Sequence, residues 1–279
     1  MSADKADSAV IEITNRTPLF PRLAEAWHHR QLAVVLAQRN LKVRYQQTIL
    51  GGAWIALQPL LLTGILTLVL GGLLSVPSDG LPYALFAFAG TALWSAFQRT
   101  VTETSISLAS NGAMIQKVYF PRILVPSTVL LTAIVDFLPI FALLLALIAI
   151  DGAFAGWRAF LSPLFFLLAV ALAFAIGLWI TALDAIYRDI RIVIPSILQL
   201  IFFVTPVAYA SSVVPERWQM LYHLNPMVGL LDGFRWALIE RAPPPDLSDL
   251  LLCGAMAAFL LFGGLVVFAR LERFAVDRI

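Results

Sequence analysis

A chain of 279 residues that is 60% hydrophobic and 13% charged, with a mean hydropathy of +0.87, lies well outside the roughly 25% charged residues of soluble domains. That composition predicts a multi-pass, all-α membrane protein and excludes a water-soluble enzyme. A net charge of +2 speaks for orientation in a membrane and not for nucleic-acid binding, and the single cysteine, Cys253, forms no internal disulfide.

Residues 1–21 mix Asp4, Lys5, Asp7, Glu12 and Arg16 without an apolar core, so they are expected to be a disordered cytoplasmic tail, neither signal peptide nor span. Residues 22–46 interleave Leu23, Trp27, Val34, Val35, Leu41 and Val43 with Arg22, Arg30, Arg39, Lys42 and Arg44. An amphipathic helix in the membrane interface fits this pattern, with Trp27 in lipid and Arg39, Lys42 and Arg44 at the headgroups. The alternative is a solvated helix of a small cytoplasmic domain. His28 and His29 lack the carboxylate or cysteine neighbours of a metal site, and no metal is expected elsewhere.

Residues 47–279 are expected to hold six transmembrane helices. The first span, about 49–74, carries Gln58 and Pro59 near its cytoplasmic end, and the backbone groups that the proline frees need partners from another helix or a wet cavity. A kink with local packing is the alternative. The second span starts near Tyr83, is apolar to about Phe97, and continues as a polar run from Gln98 to Ser105. Arg99 and Glu103 are four apart and able to pair on one face, so this end should meet a protein neighbour or water. The third span, about 123–150, contains Asp136. No partner for that acid is visible in a nearby span, which favours a packing or helix-end role over a proton relay.

Between spans two and three lies Gln116-Lys117-Val118-Tyr119-Phe120-Pro121-Arg122. Here Tyr119 and Phe120 suggest a rigid apolar knob flanked by cations, and Pro121 can open a new helix. The segment suits docking against a soluble partner; an ordinary interfacial turn is the alternative. A fourth span is expected over about 159–183, a charged loop over 184–191, and a fifth span over about 192–210 with Pro195, Gln199 and Pro206. Residues 211–241 contain apolar runs of only about a dozen residues, which suits re-entrant helices at one face. A last span covers about 247–268.

Lys and Arg are unevenly divided. Lys5, Arg16, Arg22, Arg30, Arg39, Lys42, Arg44, Lys117, Arg122, Arg188, Arg191, Arg270, Arg273 and Arg278 fall on the side of the termini, against Arg158, Arg217, Arg235 and Arg241 opposite. The positive-inside rule therefore makes both termini and the Tyr119–Phe120 loop cytoplasmic and the re-entrant segment outward. No phosphate loop, dinucleotide fingerprint, His-Glu-x-x-His or nucleophile elbow occurs. Such a chain hydrolyses no ATP itself, and any uphill work draws on a partner.

Several landmarks stand in a telling order: Arg39-Asn40-Leu41-Lys42-Val43-Arg44-Tyr45-Gln46-Gln47-Thr48-Ile49-Leu50-Gly51, then Trp54 with Leu57-Gln58-Pro59-Leu60. After them come Lys117 to Arg122, Tyr187-Arg188-Asp189-Ile190, and Leu224-Asn225-Pro226-Met227 with Asp232-Gly233-Phe234-Arg235. This set resembles the membrane permease of ABC-2 type polysaccharide exporters, which carry O-antigen, capsule or teichoic acid. The resemblance implies a homodimer in the inner (plasma) membrane that binds two copies of a separate ATPase subunit. ATP and Mg belong to that subunit, and no cofactor belongs to this chain. It further implies ATPase coupling through a short helix over Asn111 to Phe120, with the coupling element Gln116, Lys117, Val118, Tyr119, Phe120, Pro121 and Arg122. Channel-lining candidates are Trp54, Gln58, Phe202, Phe203 and Tyr209, which could equally be core or lipid-facing aromatics and polar groups; the outer gate would use Asn225, Pro226, Asp232 and Arg235. The substrate implied is a lipid-linked polysaccharide. Alternatives are an ABC-2 exporter of a small lipid or drug, and a membrane-embedded envelope glycosyltransferase or acyltransferase. The latter would want a cluster of acids and histidines near the membrane, for which Asp184, Asp189 and Glu216 are too scattered.

Overall fold

The computed structural model describes residues 19–46, 48, 51–117, 120–184, 187 and 189–276. Helix α1 (Leu19–His28) and helix α2 (Arg30–Tyr45) stand where one amphipathic helix is expected, because the chain turns at His29. Helix α3 (Ala53–Leu66) runs on into a π-helical turn, Thr67–Leu73. Helix α4 (Tyr83–Ser110), the single turn α5 (Gly112–Ile115) and helix α6 (Leu124–Asp151) follow. A 3-10 turn (Gly156–Leu161) leads into α7 (Ser162–Asp184), and then come α8 (Ile190–Val204), α9 (Glu216–His223), α10 (Pro226–Leu238) and α11 (Leu247–Val276). No strand occurs among the described residues; the one isolated bridge joins Phe154 to Ile239.

Among the described residues, four helical stretches are long and apolar enough to cross a membrane: Ala53–Leu73, Leu124–Asp151, Gly156–Asp184 and Leu247–Arg270. The expected second and fifth spans are the exceptions. Helix α4 has the length, 28 residues or about 42 Å at 1.5 Å per residue, but its second half is polar. Helix α8 is apolar but only 15 residues long, short of the roughly 20 that a hydrocarbon core requires. It ends at Thr205 because Pro206 has no amide to continue the ladder.

Polar as it is, α4 is the central helix: Ala87, Phe88, Ala89, Ala92, Leu93 and Val101 are wholly buried, with α3, α6, α7, α8 and α10 packed around them. Its polar half is accommodated by hydroxyls that turn back onto their own helix. Thr100 donates to the Ala96 carbonyl at 2.8 Å, Thr102 to Gln98 at 2.9 Å, Ser105 to Thr102 and Ser107 to Thr104, both at 2.7 Å. Each hydroxyl thus satisfies itself locally, and small side chains let neighbours come close. Helix α7 uses that closeness. The Thr181 hydroxyl donates to the Thr104 carbonyl at 2.7 Å, and a Cβ on Gly177 would stand 2.5 Å from Thr104 Cβ. Gly177→Ala must part the two helices and should cost about 1–3 kcal/mol of stability; an unchanged thermal unfolding midpoint in detergent would contradict this packing.

Helix α2 packs along α6. Ala33, Leu36 and Ala37 are buried, and its polar contacts climb along α6 in the same direction, from Asn40 on Thr128 to Arg44 and Tyr45 on Asp136. Trp27, Val34, Val35 and Val43 remain exposed, which leaves an apolar strip on the other side.

Candidate functional site

A cavity of about 640 Å³ opens between α3, α4 and α8. Helix α3 contributes Gln58, Pro59 and Leu62. Helix α4 contributes Thr91, Trp94, Ser95, Gln98, Arg99, Thr102 and Glu103, and α8 contributes Gln199, Phe202 and Phe203. The α4 residues recur at intervals of three and four, so one helical face turns into the cavity. Trp94 is held there by its indole N–H, which donates to Gln98 Oε1 at 3.1 Å, and by Phe202 edge-on at 5.9 Å. Phe203 stands at right angles to Phe202, 5.3 Å away.

Of the five channel candidates, Gln58, Phe202 and Phe203 meet here. Trp54 is half exposed one turn earlier on α3 and outside this lining. Tyr209 is also outside it; its hydroxyl donates to the Val204 carbonyl at 2.9 Å, a bond that closes off the α8 end. The sequence reading assigned no channel role to Trp94, Gln98, Thr102 or Gln199. The signal for the α4 residues lay in the spacing of Thr91, Ser95, Gln98 and Thr102, a polar stripe on a helix that continues an apolar one.

The charges sort themselves differently from the local expectation. Glu103 does not pair with Arg99; it accepts from Arg44 Nη2 at 2.7 Å. Arg44 Nη1 also bonds Asp136 Oδ2, and the Tyr45 hydroxyl donates to Asp136 Oδ1 at 2.5 Å. Asp136, 4% exposed, therefore does have partners, and they come from the amphipathic helix and not from another span. Burial and then the bond to Asp136 push the Tyr45 hydroxyl up to about 12, so it stays a donor at any physiological pH. Burial pulls the Arg44 guanidinium down, but Glu103 and Asp136 outweigh it and leave it above its ordinary value. Arg99 forms no ion pair among the described residues and faces the cavity.

The four outer-gate candidates are structural members of the 211–241 excursion. Asn225 caps α10: its side-chain oxygen accepts from the Met227 amide at 3.0 Å, its amide donates to Thr205 Oγ1 at 2.9 Å, and Pro226 occupies the first turn. Arg235 is 2% exposed. Its Nε donates to the Phe86 carbonyl at 3.3 Å, its Nη2 to the Val207 carbonyl at 2.9 Å and its Nη1 to Asp232 at 3.4 Å; the guanidinium carbon lies 3.7 Å above the Phe86 ring. Asp232 also accepts from Ser211 at 2.7 Å. Nearby, His223, Asp246 and Asp249 bring a ring nitrogen and two carboxylates within 4.8 Å of one another, a set chemically able to hold a cation. Within it His223 Nδ1 already bonds Asp249 at 2.7 Å.

At the other end, Phe120 does not project into solvent. Gln116 and Lys117 are exposed, Val118 and Tyr119 lie outside the described residues, and Phe120 is buried. It belongs to one buried cluster with Ala26, Ala33, Leu108, Leu124, Val125, Phe174, Leu178 and Phe268. An isolated phenyl ring beside so many apolar neighbours gains more by burial than by facing water. The helix expected over Asn111 to Phe120 is the single turn α5. Pro121 starts the next helix through its carbonyl, which accepts from the Leu124 amide at 3.0 Å.

Comparisons with known proteins agree on one family. The ABC-2 type transporter family is matched over residues 31–239. The O-antigen export system permease protein RfbA of Myxococcus xanthus is 28% identical over 254 residues, which cover 90% of this chain and 96% of that protein. The protein of the same name from Klebsiella pneumoniae is 26% identical over 251 residues, 88% of this chain and 93% of that one. A match spanning all but the terminal parts of the helical assembly means that this chain belongs to the ABC-2 type transporter family.

Proposed function

We propose that this chain is the membrane-spanning subunit of an ATP-driven exporter that moves a lipid-linked polysaccharide, of the O-antigen class, from the cytoplasmic to the outer face of the inner membrane. In this reading two copies form a homodimer and bind two ATPase subunits, which hold ATP and Mg; no step of hydrolysis belongs to this chain. Helices α4 and α8 complete a set of six spans, both termini are cytoplasmic, and the 211–241 excursion is a re-entrant outer gate. The names of the relatives support the substrate class.

The observation that carries the reading is the chemistry of the cavity. Sugars present apolar C–H faces and rows of hydroxyls that both donate and accept. Trp94, Phe202 and Phe203 offer flat apolar faces, while Gln58, Gln98 and Gln199 offer amides, Arg99 donors and Glu103 an acceptor. A lipid or drug path would want fewer amides. The two helices that flank α4 at the cavity, α3 and α8, also carry the exposed apolar residues Leu61, Ile65, Leu200 and Val204, a surface on which a second copy can pack.

Deleting the gene tests this. Surface polysaccharide should disappear while finished lipid-linked polymer accumulates inside the cell; loss of both pools would mean synthesis, and no change in either would mean another cargo. Complementing with Gln98→Leu and Gln199→Leu together should slow export roughly tenfold to thirtyfold, since each lost hydrogen bond is worth about 1 kcal/mol. Export at the unmodified rate would remove the cavity from the path.

A further inference from the structure

One helix touches both the docking segment and the cavity rim. Near the start of α2, Ala33, with Ala26 of α1, belongs to the buried cluster around Phe120. In the middle, Arg39 donates to Met114 Sδ of α5 at 3.6 Å. In the last turn, Arg44 holds Glu103 of α4 and Asp136 of α6, and Glu103 lines the cavity. A displacement of α5 is therefore felt by α2 as well as by α4, which α5 follows directly, and α2 ends on the cavity wall.

Arg44 is a single cation between two carboxylates that belong to different helices. A guanidinium fork holds both acids only while its donors stay within about 3 Å of them, and without it the two acids repel or one takes a proton. Tyr45 keeps the second oxygen of Asp136 occupied at 2.5 Å, and Arg99, the only other cation on this wall, forms no ion pair among the described residues. Besides the apolar packing of Val101 of α4 and of Ala133 and Phe137 of α6 in the main core, the ionic link between α4 and α6 at this level is thus made by one side chain delivered by a third helix.

We propose that Arg44 is an electrostatic clasp, a positioning residue through which α2 passes movement of the 112–122 segment to the cavity. With α2 seated, Glu103 is drawn toward Asp136 and the rim is closed; when α2 shifts, Glu103 is released and α4 swings from α6. The clasp rests on the reading above, in which the segment docks an ATPase and the cavity passes substrate.

The test uses the full chain assembled with its ATPase subunit in lipid nanodiscs, with Thr102→Cys reporting on the rim and Cys253 buried. Labelling by a water-soluble maleimide is timed without nucleotide and with ATP trapped by vanadate. With Arg44 present, ATP should change the labelling rate about fivefold or more, the scale of ordinary coupling between sites. Arg44→Gln should give fast labelling that no longer responds to ATP, while hydrolysis continues. Arg44→Lys should keep the response. Adding Glu103→Gln and Asp136→Asn to Arg44→Gln should restore slow labelling, because no acids remain to repel, but not the response. An ATP response that survives Arg44→Gln overturns the clasp. So does loss of ATPase assembly in Arg44→Gln, because Arg44 would then merely hold the fold. Labelling needs no glycan, so an unmodified complex that responds to ATP yet exports none would sink the proposed substrate and leave the clasp standing.

Discussion

Arg235→Leu is expected to lower the stability of the chain by about 3–5 kcal/mol, the range found when one partner of a buried ion pair is removed. The guanidinium meets Asp232, two backbone carbonyls and the Phe86 face; leucine fills part of the volume and satisfies none of the oxygens. Glycine at position 90 belongs to the same arrangement. A Cβ there would stand 2.5 Å from the Val207 carbonyl oxygen and 2.6 Å from Arg235 Nη2, so α4 comes this close to the 205–207 turn only because the side chain is missing. The measurement is thermal unfolding of the detergent-solubilised protein, read by the surviving monodisperse fraction. Arg235→Leu with Asp232→Leu should unfold less readily than Arg235→Leu alone, since no uncompensated acid is left. A double variant as unstable as the single one would mean that the carbonyls and the Phe86 contact, not the ion pair, set the effect.

The second large effect falls at the cytoplasmic end. Phe120→Ala removes one of the phenylalanine rings from the small buried cluster, with a packing loss of about 3–5 kcal/mol for a buried phenylalanine. That cluster is separate from the main core around Phe86, Phe88 and Phe234, so insertion and the spanning helices should survive. What should fail is the seating of α5 and of residues 120–122 and, with it, co-purification of the ATPase subunit. Phe120→Leu should retain most of it. If Phe120→Ala binds the ATPase subunit as well as the unmodified chain, the segment is not the docking element. The expected role of Phe120 thus changes in kind: its ring is buried, while Gln116 and Lys117 are exposed.

Much of the site was hidden for one physical reason, which is that local spacing sees only neighbours on one helix. Arg99 and Glu103 satisfy the i,i+4 rule and still do not pair. Arg44, 59 positions from Glu103, arrives with Asp136 already in reach, and one guanidinium can serve two acids at once. Asp136 lacked a visible partner because its partners lie 92 and 91 residues away, on a helix classed by its composition as interfacial. The cavity was half legible. Gln58 followed from the misfit of a glutamine and a proline in an apolar run, and Phe202 and Phe203 from the resemblance. Trp54 and Tyr209 share the chemistry of those residues but not their direction, and direction depends on how α3 and α8 are rotated against α4.

By itself the sequence determined the class of this protein. Composition demands lipid, runs of apolar residues about as long as a bilayer is thick locate the helices, and prolines such as Pro121 and Pro206 punctuate them, all of which are properties of short stretches of chain. The tertiary structure alone decided that α4, the most polar of the long helices, lies at the centre. Hydroxyls such as those of Thr100, Thr102, Ser105 and Ser107 bond their own backbone, and its small residues admit neighbours more closely than an apolar helix would. It alone decided, too, that an amphipathic helix leans on α6 and brings Arg44 to two acids. A carboxylate as buried as Asp136 can persist only where partners from distant segments converge on it, and convergence is not written in any one of those segments.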